Sequence, residues 1–125
     1  MAKARIVAAV GEAAIRLALD DGVEADQEVI ATAVRYLLQL LSDRAPGNTV
    51  EMRVPPFGAV QCIEGPTHTR GTPPNVVETD AATWLALATG AELWETALAE
   101  GRVSASGSRA TLVDQLPLRW ENPAS

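Results

Sequence analysis

The segment from Asn75 to Gly107 constrains the fold more than any other part of the chain. Its pattern predicts a strand, a helix capped by Asp80, a break at Gly90, a second short helix, a strand and a turn, with few residues between them. The segment is largely apolar and contains no His, Cys or Lys. Such a segment suits a protein that holds an apolar ligand or supports a partner, and it argues against catalysis.

The composition fits a single domain over residues 1–125. The chain is 47% hydrophobic and 21% charged, which supports a core of mainly aliphatic side chains. Its net charge of −6 argues against binding nucleic acid or an anionic membrane, since both need a basic surface. Cys62 has no internal disulfide partner, and Glu12 and Arg16 interrupt the only stretch that resembles a secretory signal. We therefore expect a cytoplasmic protein without a membrane-inserted segment.

Two helices are predicted in the N-terminal part, residues 1–45. Asp20-Asp21-Gly22 ends the first, although two acids at a helix C-terminus are unfavourable for its dipole. Asp26 is the predicted N-cap of the second. Each helix has an apolar stripe at helical spacing, which is Ile6, Val10, Ala13 and Leu17 in the first and Ile30, Val34, Leu37 and Leu41 in the second.

Residues 49–118 are predicted to form a sheet and its covering helices. Val50, Met52 and Val54 alternate with polar residues, as in a half-buried strand. The residues from Ala59 to Ile63 are apolar on both faces except for Gln61 and indicate a more central strand. Further strands are predicted at Val76–Glu78 and Arg102–Ser106, with a possible edge strand at Thr67–Arg70 and a last short helix, capped by Ser108, that carries Leu112, Val113 and Leu116. Consecutive strands favour antiparallel pairing, and segregated helices favour an α+β fold with one covered sheet face.

The residues of Asn75–Gly107 resemble the sterol carrier protein domain, the type-2, non-specific lipid-transfer family. The resemblance rests on Asp80 and Trp84, then Leu87-Ala88-Thr89-Gly90, then Gly101-Arg102-Val103-Ser104-Ala105-Ser106-Gly107. The stretch from Pro55 to Thr79 is similar to a small, mostly actinobacterial branch of that family. Two features depart from the family pattern. The chain begins with two helices rather than one long helix, and Glu64–Pro74 carries His, Arg and Pro-flanked turns in place of a plain hairpin.

The resemblance implies a curved, mostly antiparallel five-stranded sheet covered by helices that enclose an apolar tunnel. Family members bind fatty acids, fatty acyl-CoA, sterols or phospholipids there, without a cofactor or catalysis. We therefore expect a non-catalytic lipid-binding or carrier domain that holds a fatty acyl chain or a similar ligand. Core packing is the alternative role for the residues expected to line the tunnel, which are Trp84, Leu85, Ala88, Leu93, Trp94, Leu98, Val103 and Ala105.

A polar cluster in the Glu64–Pro74 segment is the candidate site for a ligand head group. It consists of His68, Thr69, Arg70 and Thr72, in which Arg70 could hold a carboxylate or phosphate in bidentate fashion. The alternative is a rigid loop whose Arg and Thr side chains bind neighbouring carbonyls. A single histidine makes no metal site, and Cys62 is expected to be an unreactive residue inside a strand.

Two other functions fit the same sequence. One is an accessory or protein-interaction domain with this fold, a filled core and no lipid, in which the N-terminal helices or the His68–Arg70 loop contact a partner. The other is binding of a small anionic metabolite at Arg70. The sequence leaves the ligand, the pathway and the oligomeric state open.

Overall fold

The described residues, 5–65 and 75–121 of a computed structural model, contain four α-helices and four strands. This confirms the α+β class. In chain order the elements are α1 (Ala8–Asp21), a 3-10 turn (Gly22–Glu24), α2 (Gln27–Arg44), β1 (Val50–Val54), β2 (Gly58–Cys62), β3 (Asn75–Thr79), α3 (Ala81–Thr89), α4 (Trp94–Ala99) and β4 (Val103–Ser106).

The strands form one open, mixed sheet in the order β2-β1-β3-β4. β1 pairs antiparallel with β2, where Met52 lies opposite Val60, and parallel with β3, where Met52 lies opposite Val77. β3 pairs antiparallel with β4. Pairing of consecutive strands therefore fails at β2 and β3, because β1 lies between them and takes β3 as a parallel neighbour.

The described sheet differs from the prediction in its strand number and in the position of β2. It has four strands rather than five, and the candidate strand Thr67–Arg70 lies outside the described residues. Within the described sheet β2 is an edge strand, and Ala59 and Gln61 are exposed on its outer face. The apolar pattern of this segment is misleading, because the outer face of β2 carries only the small Ala59 and the polar Gln61, which need no covering layer.

The core lies between one face of the sheet and the helices. Val50, Met52 and Val54 of β1 are fully buried on that face, which confirms the predicted alternation. On the opposite face of β1, Glu51 and Arg53 form an ion pair with an N–O distance of 2.6 Å. The helix α2 supplies much of the remaining core through Ala33, Val34, Tyr36, Leu37, Leu38 and Leu41.

The apolar stripe predicted for the first helix turns out not to be its buried face. Val10, Ala13 and Leu17 are exposed, and the side of α1 that packs on α2 consists of Gly11, Glu12, Ala14, Ile15 and Ala18. Gly11 explains why this side of α1 faces α2. A Cβ built there would lie less than 3.0 Å from the ring of Tyr36, so this ring packs directly on the backbone of α1. A close helix–helix approach needs small residues, and Gly11, Ala14 and Ala18 supply them on this face beside the buried Ile15.

The helix ends in the Asn75–Gly107 segment are those that the sequence predicts. Asp80 Oδ1 accepts a 2.7 Å hydrogen bond from the backbone N–H of Thr83 and so caps α3. Gly90 and Gly101 follow the two helices with φ values of 87° and 76°, a conformation that glycine adopts without steric cost. This part of the fold is encoded locally.

The last predicted helix does not form. Residues 107–121 are turns and irregular backbone, in which Leu112 and Leu118 are buried but Val113 is exposed. Tertiary hydrogen bonds hold this segment instead. Its Arg109 N–H donates to Asn75 Oδ1 over 2.8 Å, and its Leu118 N–H donates to Ala88 O over 2.8 Å.

Candidate functional site

A groove of about 790 Å³ lies between α2, the β1–β2 hairpin and the short segment that precedes α1. Its volume falls within the range of about 300 to 1,000 Å³ that small-molecule sites occupy. The lining divides into an apolar part and a polar part. The apolar part consists of Ile6, Leu38, Phe57, Gly58, Ala59 and Val60.

The polar part of the lining fixes one wall of the groove. Gln39 Oε1 accepts from the Ile6 N–H over 2.9 Å, and Gln39 Nε2 donates to Ile6 O over 3.0 Å. One residue earlier, Arg5 donates to both carboxylate oxygens of Asp43, at 3.2 and 2.6 Å. The hydrogen bond to Asp43 raises the pKa of Arg5, so this guanidinium stays charged and is neutralised by its partner. The segment before α1 is thereby held against α2.

Arg35 occupies the other side of the groove and keeps most of its hydrogen-bonding capacity. Its Nε donates to Phe57 O over 2.8 Å, which ties α2 to the turn between β1 and β2. Among the described residues Arg35 forms no ion pair. A guanidinium carries five N–H donors, so donors remain for an anion in the groove. Arg35 is the groove's available cation, whereas Arg5 is neutralised.

Gly58 leaves a gap in the groove wall at the start of β2. A Cβ built there would lie 3.5 Å from Leu38 Cδ1 and 3.8 Å from Arg35 Cγ, which are ordinary contact distances. The missing side chain would therefore point toward α2, between two residues that line the groove. An alanine would fit at this position, whereas a larger side chain would occupy space that a ligand needs.

The residues predicted to line a tunnel divide between the core and the surface. Trp84, Leu85, Ala88, Trp94 and Val103 are buried together in the core. The indole N–H of Trp84 donates to Val34 O over 3.3 Å. Leu93, Leu98 and Ala105 are exposed. None of these eight residues lines the groove described above.

The groove itself was not predicted, although two sequence signals point to it. Leu38 widens the apolar stripe of α2, although it is itself a buried core residue, and β2 is apolar at several positions. The fold brings Leu38, Phe57 and Val60 to one groove from two separate elements. Only their tertiary arrangement reveals the site.

The predicted head-group residues His68, Thr69, Arg70 and Thr72 lie outside the described residues. The Cys62 thiol is fully buried, and burial raises its pKa to about 11, so it stays protonated at neutral pH. The described residues contain no cluster of three or more His, Cys, Asp and Glu side chains arranged to hold a metal ion. Nor does any helix in the described part of the chain have the length and apolar character needed to cross a membrane.

A family model described as a bacterial SCP ortholog matches residues 26–118. The chain belongs to this family. The match confirms the resemblance to sterol carrier proteins that the sequence motifs carry. It begins at Asp26, the N-cap of α2, and spans the sheet, α3 and α4, whereas α1 lies outside it. A comparison with curated protein sequences finds no match.

Proposed function

We propose that this bacterial SCP ortholog is a non-catalytic lipid carrier that binds a fatty acyl chain, or a similar apolar molecule, in the groove between α2 and β2. Family membership supports lipid binding. The observation that carries the site is the 790 Å³ groove, with apolar side chains at Leu38, Phe57 and Val60. We favour it over a tunnel behind Trp84 because that side chain is fully buried and its N–H is already bonded.

The apolar part of the groove supplies the affinity in this proposal. A ligand that buries about 300 Å² of apolar surface gains about 7.5 kcal/mol at roughly 25 cal/mol per Å². The loss of translational and rotational freedom on association removes a large part of this gain. Micromolar affinity needs about 8 kcal/mol of net binding free energy, so apolar burial alone gives weaker binding than this and polar contacts must add to it. Modest affinity suits a carrier because its ligand must also be released.

The free donors of Arg35 orient the ligand. A carboxylate at the rim would accept charge-assisted hydrogen bonds from this guanidinium, which has no ion-pair partner among the described residues. The fatty acid should therefore bind more tightly than the corresponding fatty alcohol. Arg35→Gln should reduce this difference. The cluster around Arg70 is retained as a second candidate head-group site, and Arg70→Gln in the same comparison tests it.

The proposed site is tested by filling the groove from Gly58. Wild-type protein titrated with a fluorescent fatty acid such as cis-parinaric acid should give a saturable response. Gly58→Ala is the matched control and should bind normally, because its methyl group makes only ordinary contacts. Gly58→Leu should weaken binding about tenfold or more, which corresponds to about 1.4 kcal/mol, while its melting temperature stays close to that of Gly58→Ala. Equal affinity for the two variants would contradict the site.

The second candidate function is an accessory domain with a filled core and no lipid ligand. The packing of α3 favours it, because Trp84, Leu87 and Ala88 are at most 1% exposed. Native mass spectrometry of gently purified protein distinguishes the two functions. Co-purified lipid supports the carrier, whereas bare protein that also fails to respond in the titration supports the accessory domain. A cytoplasmic location is part of either proposal and is supported by the free thiol of Cys62.

A further inference from the structure

The helix α1 has an exposed apolar surface. Of the seven large hydrophobic side chains exposed among the described residues, three lie in α1 and one is its N-cap. Val7 is 63% exposed, Val10 53%, Leu17 48% and Leu19 45%. Val10, Ala13 and Leu17 recur at intervals of three and four residues and therefore lie along one line of the helix. We call these three residues the outer stripe.

The charges at the two ends of α1 oppose its own dipole. The N-cap Val7 provides no side-chain hydrogen bond, and the first turn contains no acidic residue. At the other end Asp20 and Asp21 are the last two residues of the helix. Anionic side chains stabilise helix N-termini and destabilise C-termini, so both ends are unfavourable when α1 is considered alone.

We propose that two copies of this protein associate through their outer stripes, with the two α1 helices antiparallel about a two-fold axis near Ala13. This arrangement places Val10 of each copy against Leu17 of the other, with the small Ala13 at the point of closest approach. It also places Asp20 and Asp21 beside the N-terminus of α1 in the second copy, where Val7 provides no side-chain hydrogen bond. One symmetric contact thereby buries the outer stripe and places the carboxylates of Asp20 and Asp21 at a helix terminus that favours negative charge. A parallel arrangement would instead bring four carboxylates together.

The size of the contact determines its expected strength. α1 has 14 residues and is therefore about 21 Å long. A single helix pair of this length buries less surface than the standard stable interface. The dimer should therefore be weak, reversible and dependent on concentration. No residue of the outer stripe lines the proposed groove.

Sedimentation velocity of the full chain tests the association. Between about 1 and 500 µM the wild type should pass from monomer to dimer, as expected for a small interface. Leu17→Glu should weaken the dimer about tenfold or more. Val113→Glu is the matched control, since it places the same charge at an exposed apolar residue outside α1, and it should leave the dimer unchanged. Wild-type protein that stays monomeric over the whole range, or equal effects of the two variants, would overturn the proposal.

The antiparallel orientation is tested separately. Asp20→Asn should weaken the dimer about two- to fivefold, the effect of one charge near a helix terminus, without lowering the melting temperature of the monomer. Tighter association of this variant would refute the orientation. Ala13→Cys should form an intermolecular disulfide on mild oxidation, because the axis passes close to this residue. Leu19→Cys lies on another side of α1 and should not, and equal cross-linking of the two variants would also count against the arrangement.

Discussion

Replacing Gly11 by alanine tests the packing of α1 on α2. Alanine is favoured over glycine by about 1 kcal/mol in a helix interior, so helix propensity alone predicts stabilisation. The structure predicts the opposite sign. A Cβ at this position would lie less than 3.0 Å from three ring atoms of Tyr36, among them Cγ, which is bonded directly to Tyr36 Cβ. Rotation of the ring about the Cβ–Cγ bond leaves Cγ in place, so relief requires either another Tyr36 rotamer about Cα–Cβ in a packed core or separation of the two helices.

The expected magnitude follows from these opposing terms. Overpacking a buried site costs typically 1 to 3 kcal/mol, and contact of a methyl group with Cγ places Gly11 at or above the top of that range. After the gain in propensity we expect Gly11→Ala to lower the free energy of unfolding by about 2 kcal/mol. Urea unfolding followed by tryptophan fluorescence measures this difference. A variant as stable as the wild type, or more stable, would show that Tyr36 does not pack this closely on Gly11.

A double-mutant cycle provides the control. In the Tyr36→Ala background the ring is absent, so Gly11→Ala should no longer destabilise and should gain up to about 1 kcal/mol from helix propensity. The coupling energy between the two positions should therefore approach 3 kcal/mol in magnitude (an estimate of about 2 plus about 1). Additive effects of the two substitutions would show that Gly11 is needed for a reason other than the close approach of Tyr36.

Two further predictions concern the sheet. Asn75→Ala should lower the free energy of unfolding, measured in urea, by about 2 to 4 kcal/mol. The Asn75 side chain donates to Thr49 O over 2.9 Å and accepts from the Arg109 N–H over 2.8 Å, and its removal leaves both of these groups unpaired. A loss below about 1 kcal/mol would contradict a bridging role. The Cys62 thiol should resist Ellman's reagent at pH 8 until the protein unfolds. Because burial raises its pKa from 9.0 to about 11 in the folded state, the contribution of Cys62 to the free energy of unfolding should be constant below pH 9 and should be lost between pH 9 and 11. Fast labelling of native protein would contradict the burial of this thiol.

The parts of the fold that follow from local sequence were predicted well. The alternation of Val50, Met52 and Val54 identified a strand and its buried face, because the period of a strand is set by its own backbone. Asp80 and Gly90 were identified as the ends of α3 for the same reason, since capping depends on residues within one turn. These signals need no knowledge of the neighbouring elements.

The buried face of α1 shows where sequence patterns fail. A hydrophobic stripe identified Val10 and Leu17 as inward residues, but the inward face was chosen by how closely the helix can approach α2. Gly11 allows the Tyr36 ring to lie on the helix backbone, and this steric condition depends on a residue 25 positions away. Hydrophobicity alone does not carry that information.

The candidate site was the least predictable feature. The eight apolar residues chosen for a tunnel were selected by type and by their family motif, and five of them are core residues. The groove depends instead on the gap at Gly58 and on the way Gln39 holds the segment around Ile6. Neither feature has a signature in the sequence, because each arises from elements that meet only in the folded chain.

Amide chemical shifts can locate the acyl ligand that we propose for the groove between α2 and β2. The most direct measurement is a titration of 15N-labelled protein with sodium laurate, followed by amide chemical shifts. The changes should be saturable and largest at Leu38, Phe57, Gly58 and Val60, with small changes in α3. Changes centred on Trp84 and Ala88, or no saturable change at any amide, would contradict a ligand in this groove.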